Sequence, residues 1–286
     1  MSRKGLLLLL ATGFAWGIPY LFIRVAVAQF DVSTVILARV VIGAAVLVPF
    51  AIKQKAFSKA LKQWRWVLAF ALLEMVGPWF LITNAEKSIS SGLTGLLIST
   101  VPFWAVAIAY WVYGDKSVRH PKTLMGLALG FVGIILLVGI DAITSNLNLV
   151  AVFAVLIASV GYAIAPAMAD RKIVDVPSSG VMSLSMLMVA AVYAVPGISG
   201  LSHAHAEPLG WIALLVLGLV CSALAFIAFF ALIREIGSAR ATLTTYLNTA
   251  IAIALGVIFL NEPLTLGIIL GFPLVLIGSY FASRKH

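Results

Sequence analysis

Ten long apolar runs, separated by short breaks that are charged or contain Gly or Pro, constrain this chain more than any other feature. They fall at 5–28, 32–52, 65–84, 91–113, 122–140, 148–168, 178–196, 209–233, 240–260 and 264–282. Each is close to the roughly 20 residues that an α-helix needs to cross the hydrocarbon core of a bilayer. In lipid every backbone amide must find its partner inside a helix or a closed barrel, and these runs are too long and too uniformly apolar for barrel strands. The reading is an all-α integral membrane protein of ten transmembrane helices. With 286 residues, ten spans leave no room for a soluble domain, and 63% hydrophobic against 10% charged residues exclude a water-soluble globule. Arg3 and Lys4 before a leucine run imitate a signal peptide, but the apolar stretch continues to Ile23, so an uncleaved first helix is expected.

The formal charge of +9 does not point to a nucleic-acid partner, because the basic residues lie between apolar runs and are not gathered on one surface. They read as topology signals. If the N-terminus is cytoplasmic, every Lys and Arg falls on the cytoplasmic side except Arg24, Arg39 and Lys87. Positive residues are retained inside, so both termini are expected in the cytoplasm and the protein in the inner membrane.

The two halves resemble each other. GLALGF from Gly126 to Phe131 matches GIILGF from Gly267 to Phe272, and the stretch Ala85–Pro102–Asp115 can be laid on Ala231–Asn248–Asn261 at a constant offset. Residues 1–143 and 144–286 are therefore read as two five-helix repeats. Five crossings are an odd number, so the second copy enters the membrane in the opposite sense. Such inverted repeats can exchange conformations, and with them the side on which a central site is open.

With these residues in view, the chain resembles the drug/metabolite transporter superfamily, and within it the ten-helix EamA-type branch. The resemblance rests on FAWGIPYLFIRVAV in the first helix, LARVVIGAAVL in the second, NAEKSISSGLTGLLISTVPFWAVAIAYWVYGD through the fourth, and REIGSARATLTTYLNTAIAIALGVIFLNEPLTLGIILGF through the ninth and tenth. It covers nearly the whole chain. Where other members usually carry a ninth-helix proline this chain has Asn248, a departure at the expected hinge of the second half. Within the branch the chain is most similar to the YddG-type exporters. That resemblance implies a solute cavity among helices one, three, four, six, eight and nine, and substrates that are aromatic and other neutral amino acids and related metabolites.

Side chains able to carry chemistry in lipid are few. Glu74 is the one acidic residue deep in a span, and a charge at that depth costs at least about 2.5 kcal/mol, so it should face a cavity or a partner. Arg39 in the antiparallel second helix lies at similar depth. A structural Glu74–Arg39 pair, a protonated Glu74 hydrogen-bonded to the bundle, and a site for a substrate ammonium or a coupling proton all remain open. Trp16 and Tyr20 are four residues apart, Thr100, Trp104 and Trp111 recur on one helix face, and Thr242, Thr245, Tyr246 and Thr249 share one side of the ninth helix. Such stripes serve as packing or as an interfacial belt, the reading for Trp111, or else line a cavity. The candidate substrate-binding set is Trp16, Tyr20, Glu74, Trp79, Thr100, Trp104, Tyr162, Tyr246 and Asn248. Pro19 and Pro166, in the corresponding first helices of the two halves, are candidate hinges. The pairs Gly13 with Gly17, Gly126 with Gly130 and Gly267 with Gly271 read as close helix packing, and a monomer is expected.

Enzyme readings fare poorly. His120, His203, His205 and His286 all fall in loops or at the tail, so neither a metal nor a catalytic cofactor is expected. The GxSG string Gly197–Gly200 lies outside the membrane without a histidine at depth, and no phosphate-binding loop for ATP appears. Cys221 is a lone thiol in an apolar run. The expected partners are a small-molecule substrate and the lipid bilayer. Three functions stand in order: export of neutral amino acids by alternating access, exchange of lipophilic cations for protons at Glu74, and a membrane scaffold without flux.

Overall fold

The computed structural model describes residues 2–114, 120–144, 147–204, 206–236, 241 and 244–283. The basic positions Lys116, Arg119, Arg240, Arg284 and Lys285, together with Asp115, Thr242, His205 and His286, lie outside the described residues. Among the described residues eight helices are long and apolar enough to cross a membrane. They are α1 (Arg3–Val27), α2 (Val32–Lys53), α3 (Trp64–Ala85), α4 (Ser91–Trp111), α5 (Pro121–Ile140), α6 (Leu149–Lys172), α7 (Ser178–His203) and α8 (Pro208–Ile236). Two shorter apolar helices follow, α9 (Thr244–Leu260) and α10 (Leu266–Phe281).

Helix starts follow local chemistry. Ser2 caps α1 by accepting from the Gly5 amide, Ser90 caps α4 at Leu93, and Asn148 caps α6 at Ala151. Proline opens α5 and α8, where its missing N–H costs nothing. Inside spans proline acts unevenly. The helix is interrupted at Ile18 before Pro19 and again at Ser99–Thr100 before Pro102, whereas α6 runs unbroken through Pro166 and α10 through Pro273. Of the two candidate hinges, only Pro19 sits at a break.

Two breaks of another kind occur at corresponding places. Residues Leu72–Val76 of α3 and Leu219–Leu224 of α8 are π-helical, each inserting an extra residue per turn into an otherwise α-helical span. Such bulges re-aim side chains and recur at functional sites.

Packing is built as lipid requires. Phe131, Phe153, Ile157 and Ile258 are more than half exposed on the outside of the bundle, while Leu47, Met75, Leu97, Met186 and Leu217 are fully buried within it. Helix α2 pairs with α7, α5 with α10, and α4 with α9. Helix α1 packs on α8 and α9 just as α6 packs on α3 and α4. Exchanging each helix for the one five places on leaves this set of pairings unchanged, the internal signature of a pseudo-symmetric repeat. Glycine makes the closest approaches: a Cβ on Gly133 would meet Leu274 and Val275 of α10 at 2.9 Å, and one on Gly17 would meet Ile251 of α9 at 2.6 Å.

Candidate functional site

A cavity of about 680 Å³ occupies the middle of the bundle and is bordered by α1, α2, α3, α4, α6, α7, α8 and α9. Its mouth is lined by the chain from Asp170 to Ser178, between α6 and α7, and by Ile233 near the end of α8. The opposite end of the bundle is shut. There the Arg24 guanidinium of α1 donates to the backbone carbonyls of Glu86 and Ile89, and the Glu207 amide donates to the Gln29 side chain at 2.9 Å. The Thr34 hydroxyl donates to the Gly197 carbonyl at 2.8 Å. The Glu262 carboxylate, from the α9–α10 hairpin, accepts from the Ser91 amide at 2.7 Å, the Ser91 hydroxyl at 2.9 Å and the Gly92 amide at 3.1 Å, closing the first turn of α4.

Trp16, Pro19, Tyr20, Glu74, Trp79, Tyr162, Pro166 and Asn248 all line the cavity. Thr100, Trp104 and Tyr246 are not among the lining residues. Thr100 is buried and donates to the Leu97 carbonyl at 2.7 Å, which occupies its hydroxyl in the kink of α4. The Trp104 indole nitrogen is buried without a partner. From α4 it is Ile98 and Val101, on either side of the Ser99–Thr100 break, that line the cavity.

Glu74 and Arg39 both line the cavity, yet they form no ion pair. The structural Glu74–Arg39 pair is thereby corrected. Two other helices compete for the guanidinium: Arg39 Nε donates to Ser222 Oγ of α8 at 2.9 Å, and its carbon lies 3.8 Å from the centroid of the Trp79 ring. A cation held on an indole face gains about 0.5–2 kcal/mol while its terminal amino groups stay available. Glu74 keeps one carboxylate oxygen buried and without a hydrogen-bond partner. Tyr162 stands within electrostatic reach of both charges. The π-helical segments explain the aim: Glu74 belongs to one and Ser222 to the other.

The rest of the wall is aromatic. Trp16 packs edge-on against Phe226 at 5.6 Å and tilted against Phe229 at 4.6 Å, next to Phe230. Arg39 and the three phenylalanines were missed as cavity residues. Arg39 was signalled by its depth, whereas phenylalanine in an apolar run carries no mark that separates cavity from lipid. The arrangement offers a cation, a carboxyl group and flat apolar faces in one enclosure, suited to a small amphipathic solute.

Known proteins resemble this chain in sequence and in fold. The model of the EamA-like transporter family matches residues 3–139 and again 149–284. The uncharacterized transporter YoaV of Bacillus subtilis (strain 168) is 25% identical over 301 residues, covering 99% of each chain. The uncharacterized inner membrane transporter YedA of Escherichia coli (strain K12) is 25% identical over 97% of this chain and 92% of its own. A solved crystal structure shares the fold with a TM-score of 0.66 at 19% identity, over 99% of this chain and 97% of that one.

Proposed function

The chain belongs to the EamA-like transporter family, and from that premise we propose that it is an exporter of neutral amino acids, aromatic ones foremost, and related metabolites. At the level of the family it is a secondary transporter of small molecules and not an enzyme, multi-pass in the inner membrane. The finer reading has one observation to carry it: Arg39 and Glu74 share a cavity without pairing with each other. A zwitterion supplies what each lacks, a carboxylate for the guanidinium and an ammonium for the carboxyl group, while an aromatic side chain stacks among Trp16, Phe226 and Phe229.

Alternating access follows from two inverted five-helix halves, 1–143 and 144–286, rocking about this site in a single chain. The double match of the family model and the exchangeable helix pairings support that division. Both termini lie in the cytoplasm on the Lys and Arg distribution, so the cavity mouth faces the cytoplasm and the shut end faces outward. Pro19, at the break of α1, and Pro166 are the proposed hinges.

The experiment is counterflow of labelled phenylalanine into liposomes that hold the purified chain. Accelerated exchange is expected, with competition by other aromatic amino acids and little by phenethylamine or phenylpropionate, which each lack one charge. No flux for any aromatic amino acid overturns the substrate class. A second reading, lipophilic cations exchanged for protons, draws on the unpartnered Glu74 oxygen. It predicts cation-driven proton release that vanishes in Glu74→Gln.

A further inference from the structure

Behind the shut end lies a carboxyl group that the transport reading does not use. Glu86 follows the last turn of α3, is fully buried, and has a hydrogen-bond partner on neither side-chain oxygen. The nearby guanidinium does not satisfy it, because Arg24 donates to the Glu86 backbone carbonyl. The charged or titratable groups whose fields reach it are Glu262 from the α9–α10 hairpin, Arg24 and Tyr20 from α1, and Arg39 from α2.

The two glutamates differ in how their charge is met. Glu262 accepts three hydrogen bonds at the N-terminus of α4. Glu86 has no protein donor on either buried oxygen, and it lies within electrostatic reach of Glu262. An ionised carboxylate in such a place is far costlier than a neutral acid, so the proton stays while the site is dry. The Glu262 contact is tightly packed. Gly92 and Gly256 have no side chain here, and a Cβ on Gly256 would collide with Glu262 and approach the Ser91 hydroxyl to 2.8 Å.

We infer that Glu86 is a proton-binding site locked behind the outer gate, occupied while Glu262 caps α4 and vacated to external water when that contact opens. The inference rests on the orientation given under Proposed function, but not on the substrate. The step moves one proton from external water to one carboxylate as the gate shuts. Because the closed gate binds the proton more tightly than the open one, falling external pH favours the closed gate, and rising pH releases it. External acid therefore holds the cavity open to the cytoplasm.

The test uses the full chain in lipid nanodiscs and needs no transported solute. Infrared difference spectra at neutral pH should show a protonated-carboxyl band that is absent in Glu86→Gln and still present in Glu74→Gln. Hydrogen exchange across residues 88–97, corrected for intrinsic rates, should show protection falling by up to about tenfold per pH unit in the alkaline direction, and a flat profile in Glu86→Gln. Absence of a band assignable to Glu86 overturns the proposal. So does a pH dependence that persists in Glu86→Gln, which would assign it to another group. Should Glu86→Gln fail to fold, Glu262→Ala decides: opening the cap should abolish the band, and a band unchanged in that variant contradicts the lock.

Discussion

At the end of the bundle that carries the α3–α4 loop, side chains from α1, α2 and the α9–α10 hairpin cross to neighbouring elements and end on backbone groups. At the end that carries the α6–α7 loop, that loop and Ile233 of α8 line a mouth. Helix α1 shows the contrast within one element. Near its start it is tied to α8 through Ser2 and Lys4 to Glu235 at 2.6 and 3.5 Å, while near its end Arg24 reaches across to the α3–α4 loop. The lesson is that closure here is polar and local. A few charge-assisted hydrogen bonds at helix termini hold one end, over a bundle whose sides are held by apolar packing, and such contacts can be exchanged without unpacking the helices.

The largest expected effect separates the cavity from both ends. Arg39→Gln should weaken phenylalanine binding by about 10- to 100-fold, measured by calorimetry, with hydrogen exchange at either end unchanged. If protection at the shut end falls as well, Arg39 is a structural strut and the contrast loses its centre. Next comes packing at the shut end. A Cβ on Gly95 would lie 2.7 Å from the Ala252 Cβ, so Gly95→Leu should cost about 1–3 kcal/mol in thermal unfolding and prise α4 from α9. Glu262→Ala removes three hydrogen bonds from the first turn of α4, an effect on the scale of a lost cap, roughly 1–2 kcal/mol. Exchange protection of Ser91 and Gly92 should drop about tenfold while the melting temperature moves little. The smallest effect sharpens the comparison by its size: Gln29→Ala removes an exposed contact to the Glu207 amide and should change that protection by less than about threefold.

Much of this architecture is legible in the chain. The apolar runs at 32–52 and 65–84 become Val32–Lys53 and Trp64–Ala85, because in lipid the length of a run and its charged flanks decide a span almost alone. The paired glycines of α1 face α9 as packing requires. What could not be read depends on a second helix. The Glu74–Arg39 pair follows from depth, yet Ser222 and Trp79 hold the guanidinium instead, and no local pattern announces that competition. The π-helical turns at Leu72–Val76 and Leu219–Leu224 have no residue signature, since ordinary apolar residues occupy most of both. Glu86 reads as a loop residue in NAEKS, and its burial comes from elements distant in sequence. That Val101 and not Trp104 lines the cavity from the second half of α4 is likewise set by packing beyond the break at Ser99–Thr100.

The most direct test of the central claim is side-specific labelling of a single cysteine, Phe229→Cys in a Cys221→Ser chain, by a membrane-impermeant thiol reagent in vesicles of known orientation. Phe229 lines the cavity, so labelling is predicted from the cytoplasmic face alone in the otherwise unaltered chain, with labelling from the outer face appearing when Glu262→Ala is added. Labelling from the outer face without that substitution, or from neither face with it, contradicts a single cavity that is shut at one end by an exchangeable polar gate.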